Sequence, residues 1–284
     1  MKVERNKSIR NLNTMRIEAF FDYYALPDSI DELKEVVKFA KEKKLKIFFL
    51  GNGSNILFSK DFYQDSILID LKGLNKVKLT EDFLYLECGV TGAKLMNFCI
   101  KKGFSGFEFL AGIPGTVGGF VRMNAGSFNQ AISDILEKVK FLNLKRMDIF
   151  EINKDNLTIK YRNMEVPDNC IIIGGYFKYR VGDRVRIINE IKEKLKIRKL
   201  KQPRGYSAGS IFKNGNNYFA GKLIEDAGLK GKRVGDAVIS NKHANFIINM
   251  GNARGRDVLT LIEIAEETVK NKFGVKLERE VIVV

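Results

Sequence analysis

The chain has 284 residues, 45% of them hydrophobic, which is enough to bury a sizeable core in one large domain or in two to three smaller ones. Its formal net charge of +15 suits a polyanionic partner, but the charge alone does not choose between nucleic acid, an anionic surface and a small phosphorylated molecule. One histidine and three widely spaced cysteines exclude a His-rich metal site and a disulfide framework, so we expect no bound metal and cysteines that act as core thiols.

The sequence shows no sign of a targeting or membrane segment. Residues 1–13 are charged and polar, without the apolar run that a signal peptide needs. No later run approaches the roughly 20 apolar residues that span a bilayer. We therefore expect a cytoplasmic protein with no membrane partner.

The first third of the chain mixes helix and strand signals. Ser29 and Glu32 form a capping box ahead of apolar residues at helical spacing, which predicts a helix over about 30–43. Short apolar runs predict strands at 47–50, 66–71, 75–79 and 83–88. Thr91 is suited to cap a second helix, and Gly103 is suited to end it in the left-handed conformation.

The later elements predict a sheet-rich middle followed by a more helical C-terminal part. Strands are predicted at 139–144, 147–152, 157–161 and 170–179. Helical spacing then begins, with a domain boundary expected near 181–184, and it is carried by Val185, Ile188, Ile191 and Leu195. Further on we predict a short helix closed by Gly228, a strand over 245–249, a helix bearing Val258, Leu261, Ile262, Ala265 and Val269, and a last strand ending at Val284.

A glycine-rich stretch follows the second predicted helix. It consists of Gly112, Ile113, Pro114, Gly115, Thr116, Val117, Gly118 and Gly119, followed closely by Asn124, Ala125 and Gly126. Glycine lets backbone N–H groups approach a ligand closely, and successive N–H groups can hold an anion such as phosphate. Taken alone, the stretch is more typical of an ordinary turn between two strands.

A second glycine loop favours the binding interpretation. Gly51, Asn52, Gly53, Ser54 and Asn55 follow the predicted strand 47–50. Two such loops, each at a strand end, can hold one pyrophosphate between them. A Rossmann fingerprint is excluded because Ile56 stands where its third glycine is needed. A P-loop at 215–222 is rejected as well, since Leu223 replaces the Ser or Thr that binds magnesium.

Four polar residues outside these loops are candidates for chemistry, each with a plainer alternative. Ser210 lies among small residues where a ligand could approach, but such serines are more often turn formers, and it has no histidine partner for acyl transfer. Arg162, which follows Tyr161 at a strand end, could bind a carboxylate or phosphate or form a surface ion pair. Glu280 interrupts an apolar terminal strand and is either buried or directed to solvent. His243 is expected to satisfy backbone groups.

In their order along the chain, these stretches resemble the UDP-N-acetylenolpyruvoylglucosamine reductase family of flavoenzymes. The resemblance covers nearly the whole chain and is carried by Asn13–Arg16, Gly51–Asn55, Ala111–Gly119, Asn124–Gly126, Tyr161 with Arg162, Ala208–Asn214, Ala220–Gly231, Ser240–Asn249 and Leu277–Val281. Any one of these stretches is a weak signal, but the ordered set is highly specific.

The resemblance implies an α+β fold, built from a two-lobed FAD-binding module of the vanillyl-alcohol-oxidase/PCMH type and a C-terminal α+β substrate-binding domain. The expected ranges are 1–80 for the first FAD-binding lobe, 81–183 for the second and 184–284 for the substrate domain. Both glycine loops, Gly51–Asn55 and Gly112–Gly119 with Asn124–Gly126, would hold the FAD pyrophosphate. We expect the FAD to be non-covalent, because neither loop contains a histidine or cysteine.

The resemblance also implies a reaction. The enzyme would use NADPH as co-substrate and reduce the enolpyruvyl ether of a UDP-sugar in peptidoglycan precursor synthesis. Ser210 matches the family's proton donor, while Arg162 and a protonated Glu280 match the residues that polarise the substrate carboxylate. Tyr161, Lys199 and Asn214 match positions that contact the substrate. We expect a monomer with no nucleic-acid partner.

The chain departs from the family pattern at a few loop positions. Gly215 stands where the family usually has proline, Met15 where phenylalanine is more usual, and residues 253–256 are atypical. No tyrosine-bearing loop follows Arg180, so the chain resembles the shorter subclass of the family. Two alternatives stay open: a flavin oxidase of the same fold acting on another substrate, and a basic nucleic-acid-binding protein with an incidental glycine loop.

Overall fold

A computed structural model describes residues 2–284. Contacts between residues divide the chain into two compact units. Unit 1 contains the N-terminal residues up to Glu4 together with Tyr23–Asn52 and Asp65–Arg198, and unit 2 contains Arg5–Asp22, Gly53–Gln64 and Lys199–Val284. The three domain ranges predicted from the sequence, 1–80, 81–183 and 184–284, stay a prediction.

Helices and strands alternate along most of the chain. The α-helices are α1 (Ile30–Glu42), α2 (Gly92–Lys102), α3 (Val117–Arg122), α4 (Ile132–Ile135), α5 (Arg184–Lys201), α6 (Ala220–Asp226) and α7 (Gly255–Phe273). The strands are β1 (Val3–Ser8), β2 (Phe20–Ala25), β3 (Lys46–Leu50), β4 (Ile56–Leu57), β5 (Phe62–Asp70), β6 (Val77–Leu79), β7 (Leu84–Glu87), β8 (Phe104–Ser105), β9 (Gly126–Ser127), β10 (Gln130–Ala131), β11 (Leu136–Asn143), β12 (Ile149–Asn153), β13 (Ile159–Lys160), β14 (Asn163–Met164), β15 (Cys170–Phe177), β16 (Arg180–Val181), β17 (Arg233–Val234), β18 (Ala237–Ile239), β19 (Ile247–Asn249) and β20 (Ile282–Val283). Among residues 2–284, no helix is both long and apolar enough to cross a membrane.

The core of unit 1 is built on an antiparallel sheet of order β12-β11-β15-β7-β6. The middle strand β15 is covered on both faces, since residues 171–175 are all buried, whereas β11 is buried at Val139 and Phe141 and half-buried at Lys140 between them. A second pairing, between β3 and β5, is parallel and runs from Lys46↔Ser66 to Leu50↔Asp70. This pairing ends directly before Gly51, so the sheet fixes where the first glycine loop begins.

The two helices predicted in the first third of the chain are confirmed. Ser29 Oγ accepts a hydrogen bond from the Glu32 N–H at the start of α1, and the Thr91 hydroxyl does the same for Lys94 in α2. Gly103 ends α2 with φ 70°, in the left-handed conformation. Local capping signals were therefore sufficient to define both helices.

The apolar face predicted for α5 is wrong in part. The helix buries Ile187 and Ile191, whereas Val185 and Leu195 are 64% and 43% exposed. The apolar residues of α5 are spread around the helix among lysines and arginines, so spacing alone does not define one face. The buried pair lies four residues apart and forms the narrow stripe by which α5 joins the core of unit 1.

Unit 2 has its own core between a small antiparallel sheet, β17-β18-β19, and α7. The predicted apolar face of α7 is confirmed, since its five members Val258, Leu261, Ile262, Ala265 and Val269 are all buried. The terminal strand β20 pairs in parallel with β4, through Ile282↔Ile56 and Val283↔Leu57. This pairing places the chain end beside the residues that follow the first glycine loop.

The cysteines are free thiols, but they are not all in the core. Cys88 and Cys99 are buried, as expected, whereas Cys170 is only half-buried. Cys170 is the first residue of β15 and lies next to the turn after Pro167, where the sheet meets solvent. The prediction of core thiols is confirmed for the first two cysteines and wrong for Cys170.

Candidate functional site

The two glycine stretches meet inside unit 1. Gly51 approaches Thr116 so closely that a Cβ at position 51 would lie 2.5 Å from the Thr116 Oγ1. Thr116 is buried and directly precedes α3. The turn after β3 and the turn before α3 therefore form one continuous surface, which we call the glycine site: Gly51 and Asn52 together with Gly112–Gly126.

Part of the second stretch is helical, which the sequence did not predict. Gly118 and Gly119 lie in the first turn of α3, not in a loop. The N–H groups of Val117 and Gly118 donate to Val90 O and Cys88 O at 2.9 and 2.8 Å. Glycine is a poor helix former, so hydrogen bonds to the turn after β7 rather than helix propensity hold this turn in place.

The glycines of this turn serve different purposes. A Cβ at Gly115 would collide with the ring of Phe120, and one at Gly118 would lie 2.9 Å from the Cys88 Cβ. These two glycines are required by packing. Gly119 is exposed, and a Cβ there would meet only the Thr116 Oγ1, at 3.8 Å. Gly119 is therefore the position at which the helix N-terminus leaves room for a ligand.

Arg198 of α5 anchors the start of the stretch. Its Nε donates to Ala111 O at 2.8 Å, and its Nη2 donates to the Ser127 Oγ at 2.7 Å. Gly112, with φ +76°, fits against this helix because a Cβ would lie only 3.0 Å from the Arg198 Cδ. Arg198 could not be identified from the sequence, because a run of lysines and arginines does not show which member is turned inward.

The charge of Arg198 is held in an unusual setting. Burial, and after it the nearby positive charge of Arg162, lowers the pKa of the Arg198 guanidinium. Arginine stays charged in proteins nonetheless. The same guanidinium lies 5.4 Å from the centre of the Phe128 ring, on the hairpin after Gly126. Two positively charged guanidinium groups therefore lie near each other beside the glycine site, which favours binding of an anion.

Arg162 lies in a tight turn rather than after a strand end. Lys160 pairs with Asn163, so Tyr161 and Arg162 form the two-residue turn between β13 and β14. The strand predicted over 157–161 is confirmed only for Ile159–Lys160. Arg162 has φ 55°, and its Nη1 donates to Gly126 O at 2.8 Å. The structure thus brings Arg162 against the glycine site.

The side chain of Asn124 also links the glycine site to the strand before Arg162. Its Nδ2 donates to Lys160 O at 3.2 Å, and its Oδ1 accepts from the Ser133 N–H at 3.0 Å. Ala125, the next residue, is buried. Tyr161, by contrast, is 55% exposed, with its ring 5.3 Å from the Arg162 guanidinium. Asn124 therefore has a structural role, and Tyr161 is free to meet a ligand.

The rest of the first glycine loop belongs to unit 2. Gly53, with φ +59°, leaves no space for a side chain because a Cβ would lie 2.5 Å from Leu12 O. Its carbonyl accepts from the Thr14 N–H at 3.1 Å. The Asn55 Nδ2 donates to Glu280 O at 3.0 Å. The loop residues in unit 2 are therefore bound to the segment that carries the candidate carboxylate.

Ser210 and Glu280 are brought together in unit 2. The N–H of Glu280 donates to the carbonyl of Ile211, the residue after Ser210, at 2.8 Å. Both Ser210 and Glu280 are half-buried. We call Ser210–Lys213 the serine segment. Of the three candidate catalytic residues, Arg162 belongs to unit 1 and the other two to unit 2.

The two remaining substrate candidates, Lys199 and Asn214, are both exposed. Asn214 Oδ1 accepts from the Ala220 N–H at 3.0 Å and so helps to begin α6, which leaves its Nδ2 for a ligand. Gly215 donates its N–H to Tyr218 O at 3.1 Å. A proline at position 215, usual in the family, could not make this bond.

His243 satisfies backbone groups, as predicted. Its Nδ1 accepts from the Asn245 N–H at 3.3 Å, and its ring packs edge-on against Phe246. Burial, and after it the charge of Lys230, lowers the pKa of this imidazole. Within residues 2–284 no cluster of His, Cys, Asp or Glu could hold a metal ion.

Comparison with known families assigns the two parts of the chain. Residues 21–153 match the family described as an FAD binding domain, and residues 200–284 match the C-terminal domain of UDP-N-acetylenolpyruvoylglucosamine reductase. The first range contains both glycine stretches, and the second contains the serine segment and Glu280.

Whole-chain relatives point the same way. The chain is 38% identical to the UDP-N-acetylenolpyruvoylglucosamine reductase of Clostridium tetani, over 99% of this chain and 92% of the relative. It is 36% identical to the corresponding reductase of Fusobacterium nucleatum, over 100% of both chains. The crystal structure of the reductase from Thermus caldophilus superimposes with a TM-score of 0.85 at 31% identity, covering 100% of this chain and 99% of that one.

The residues of unit 1 fit an FAD. Gly119 is exposed in the first turn of α3, and the guanidinium groups of Arg162 and Arg198 contact the adjoining backbone. Glycine backbone that a ligand can approach and nearby positive charge are what a pyrophosphate requires. The predicted α+β fold with an FAD-binding module and a C-terminal domain is confirmed, and the protein is an FAD-dependent oxidoreductase. The chain belongs to the UDP-N-acetylenolpyruvoylglucosamine reductase family.

Proposed function

We propose that the protein reduces UDP-N-acetylglucosamine enolpyruvate to UDP-N-acetylmuramate, with NADPH as co-substrate, in the synthesis of peptidoglycan precursors. The observation that carries this proposal is the full-length similarity to reductases of that name, in a chain whose glycine stretches meet at Gly51 and Thr116. Bound FAD would supply the two-electron chemistry, the transfer of a hydride from NADPH to the enolpyruvyl double bond.

The glycine residues have the binding role in this proposal. The stretches Gly51–Asn55, Gly112–Gly119 and Asn124–Gly126 hold the pyrophosphate of FAD without a covalent link. They do so through backbone N–H groups other than those, such as Val117, Gly118 and Ala125, that donate to carbonyl groups of the chain. Support comes from the exposed position of Gly119 and from the contact between Gly51 and Thr116. Arg162 and Arg198, which donate hydrogen bonds to Gly126 and Ser127, add positive charge next to the same backbone.

Ser210 supplies the proton. Hydride adds to the terminal carbon of the enolpyruvyl group, and the Ser210 O–H bond breaks as its proton moves to the carbon that bears the ether oxygen. The resulting alkoxide recovers a proton from water. Serine can act in this way because the developing carbanion is a far stronger base than an alkoxide. Support comes from the half-buried position of Ser210 next to Ile211, whose carbonyl accepts from Glu280.

Arg162 and a protonated Glu280 polarise the carboxylate of the substrate. Negative charge develops on this carboxylate as hydride arrives, so a guanidinium and an acid O–H lower the barrier by donating hydrogen bonds to it. Tyr161, Lys199 and Asn214 bind other parts of the UDP-sugar. The exposure of all three side chains is consistent with that role.

The remaining parts of the proposal concern partners and location. The protein acts as a monomer in the cytoplasm, where nucleotide sugars and NADPH are found, and it has no nucleic-acid partner. Its basic residues face phosphorylated small molecules under this proposal.

An absorption spectrum followed by an anaerobic half-reaction tests the function. We expect a yellow protein that releases FAD on denaturation, is bleached by NADPH, and regains its colour when the enolpyruvyl UDP-sugar is added. A colourless protein that binds nucleic acid would contradict the proposal. Oxygen consumption without the UDP-sugar would favour a flavin oxidase of the same fold.

A further inference from the structure

The serine segment has both of its edges occupied by hydrogen bonds within unit 2. On one edge, Ile211 O accepts from the N–H groups of Glu280 and Val281 at 2.8 and 3.2 Å. Further along the same edge, the Lys213 N–H donates to Glu278 O at 2.8 Å. This edge is an ordinary backbone pairing, of the kind that joins neighbouring strands.

The other edge is held by one side chain. Asn245 Oδ1 accepts from the Phe212 N–H at 2.9 Å, and Asn245 Nδ2 donates to Phe212 O at 2.8 Å. The backbone carbonyl of Asn245 accepts in addition from the Ile211 N–H at 2.9 Å. The carboxamide therefore takes the place that the backbone of a neighbouring strand would occupy, and it satisfies a donor and an acceptor that are both removed from water.

Asn245 is itself fixed from several directions. It is 4% exposed, and its N–H donates to the His243 Nδ1. The turn that carries it is closed by the Phe246 N–H donating to His243 O at 3.0 Å and by the Ser240 N–H donating to Phe246 O at 2.9 Å. A side chain held this firmly can determine the position of the group that it binds.

The chain before Ser210 is anchored at Ala208, which is 2% exposed, and at Ser207, whose carbonyl accepts from the Thr14 hydroxyl at 2.7 Å. Gly209 separates this anchor from Ser210: it has φ +78°, and a Cβ there would meet nothing within 4 Å. The hydrogen bonds nearest to Ser210 are therefore those on its C-terminal side, at Ile211 and Phe212. Proton transfer depends steeply on the distance between donor and acceptor, so a shift of this backbone should reach the chemistry directly.

We propose that Asn245 is a positioning residue for Ser210: its carboxamide fixes Phe212, and so sets where the Ser210 hydroxyl meets the substrate. This inference rests on the proposed role of Ser210 as proton donor. It requires no contact between Asn245 and the substrate, and it predicts that Asn245 matters for protonation but not for the reduction of bound FAD by NADPH.

Replacing Asn245 by alanine tests the proposal. For Asn245→Ala we expect the reoxidation of reduced enzyme by the enolpyruvyl UDP-sugar to slow by roughly 10- to 100-fold, as for a misplacement of about 1 Å. Reduction by NADPH should stay within about twofold of wild type. Exchange of the Phe212 amide hydrogen, followed by mass spectrometry, should become faster, which reports the lost bond without any reaction.

Asn249→Ala is a matched control. Asn249 is 2% exposed, donates to Met15 O at 2.8 Å, and accepts from the N–H groups of Gly251 and Ala253 at 2.8 and 2.9 Å. This substitution removes a similarly buried carboxamide from the same unit but leaves the hydrogen bonds between Asn245 and Phe212 in place. We expect lower stability but an unchanged ratio of the two half-reaction rates.

A variant of the same shape covers the case in which Asn245→Ala does not fold. Asn245→Asp keeps the acceptor for the Phe212 N–H but sets a carboxyl oxygen against Phe212 O, so it should show a loss confined to reoxidation that is smaller at low pH, where the protonated acid can donate to that carbonyl. Normal reoxidation in either variant, or a parallel loss of both half-reactions, would overturn the inference. If wild-type enzyme itself fails to reoxidise with the UDP-sugar, the proposed function is wrong instead, so the two failures are distinguishable.

Discussion

The glycine site of unit 1 and the serine segment of unit 2 are organised by opposite means. The glycine site depends on the absence of side chains, since a Cβ at Gly51 would collide with Thr116 and a Cβ at Gly115 with Phe120. The serine segment depends instead on one side chain, because the carboxamide of Asn245 makes hydrogen bonds to both the N–H and the carbonyl of Phe212. One region is shaped by close approach and the other by a directed pair of hydrogen bonds.

This difference decides how each region should respond to substitution. Adding atoms to the glycine site should weaken cofactor binding, because loops that touch cannot both keep their places. Removing atoms from the serine segment or its support should leave the cofactor bound and affect the protonation step. The comparison is therefore testable by asking which half-reaction each variant loses.

The largest effect is expected at Ser210. Ser210→Ala should keep the reduction of FAD by NADPH and lose its reoxidation by the enolpyruvyl UDP-sugar, by about 10²- to 10⁴-fold, because a general acid typically contributes that much. Stopped-flow absorbance of the flavin measures both steps separately. Ser207→Ala, three positions earlier on the same stretch, is a control expected to keep both rates. Equal loss of both half-reactions in Ser210→Ala would remove the proton-donor role.

A smaller effect, of the opposite kind, is expected at Gly51. In Gly51→Ala the new Cβ would lie 2.5 Å from the Thr116 Oγ1, so one loop must move, and we expect FAD affinity to fall by roughly tenfold or more. Adding Thr116→Ala removes that oxygen and leaves the Thr116 Cβ at 3.6 Å, an ordinary contact. The double variant should therefore regain FAD, measured by fluorescence titration of the apoenzyme. Failure of the second substitution to restore binding would show that the contact between the loops is not what limits it.

The sequence predicted most of the elements whose signals are local. Helices α1 and α2 were defined by Ser29, Thr91 and Gly103, and the face of α7 followed from its spacing. Helix α3 was missed because Gly118 and Gly119 contradict helix propensity, and tertiary hydrogen bonds to Val90 and Cys88 stabilise it instead. Local signals fail where the stabilising partner is distant in the chain.

Residues of the candidate site were likewise predictable only where their signal is local. Glycines could be found from the sequence because each one marks a place where a side chain is excluded, although their spacing could not tell Gly118, required by packing, from Gly119, which faces open space. Arg198 and Asn245 were missed because their importance depends on which backbone groups they reach, 87 and 33 residues away in the chain. Only the folded structure brings these partners together.

The smallest effect expected concerns pH and tests how the support of the serine segment is itself stabilised. Because burial lowers the pKa of His243 below its ordinary value of 6.5, the unfolded chain binds a proton that the folded protein resists. The contribution of His243 to stability is therefore complete above about pH 6.5 and is lost as the pH falls through the lower folded pKa. Protonation also removes the Nδ1 acceptor that receives the Asn245 N–H.

We therefore expect the melting temperature of the wild-type protein to fall modestly between about pH 7.5 and pH 5.5, the range in which histidine is the side chain that ordinarily titrates. His243→Asn offers an oxygen that can accept from the Asn245 N–H but cannot take up a proton in this range, so its melting temperature should vary less with pH. Differential scanning calorimetry at several pH values measures both proteins. Identical pH dependence in the two would mean that folding does not change the pKa of His243, and would contradict the expected loss of stability.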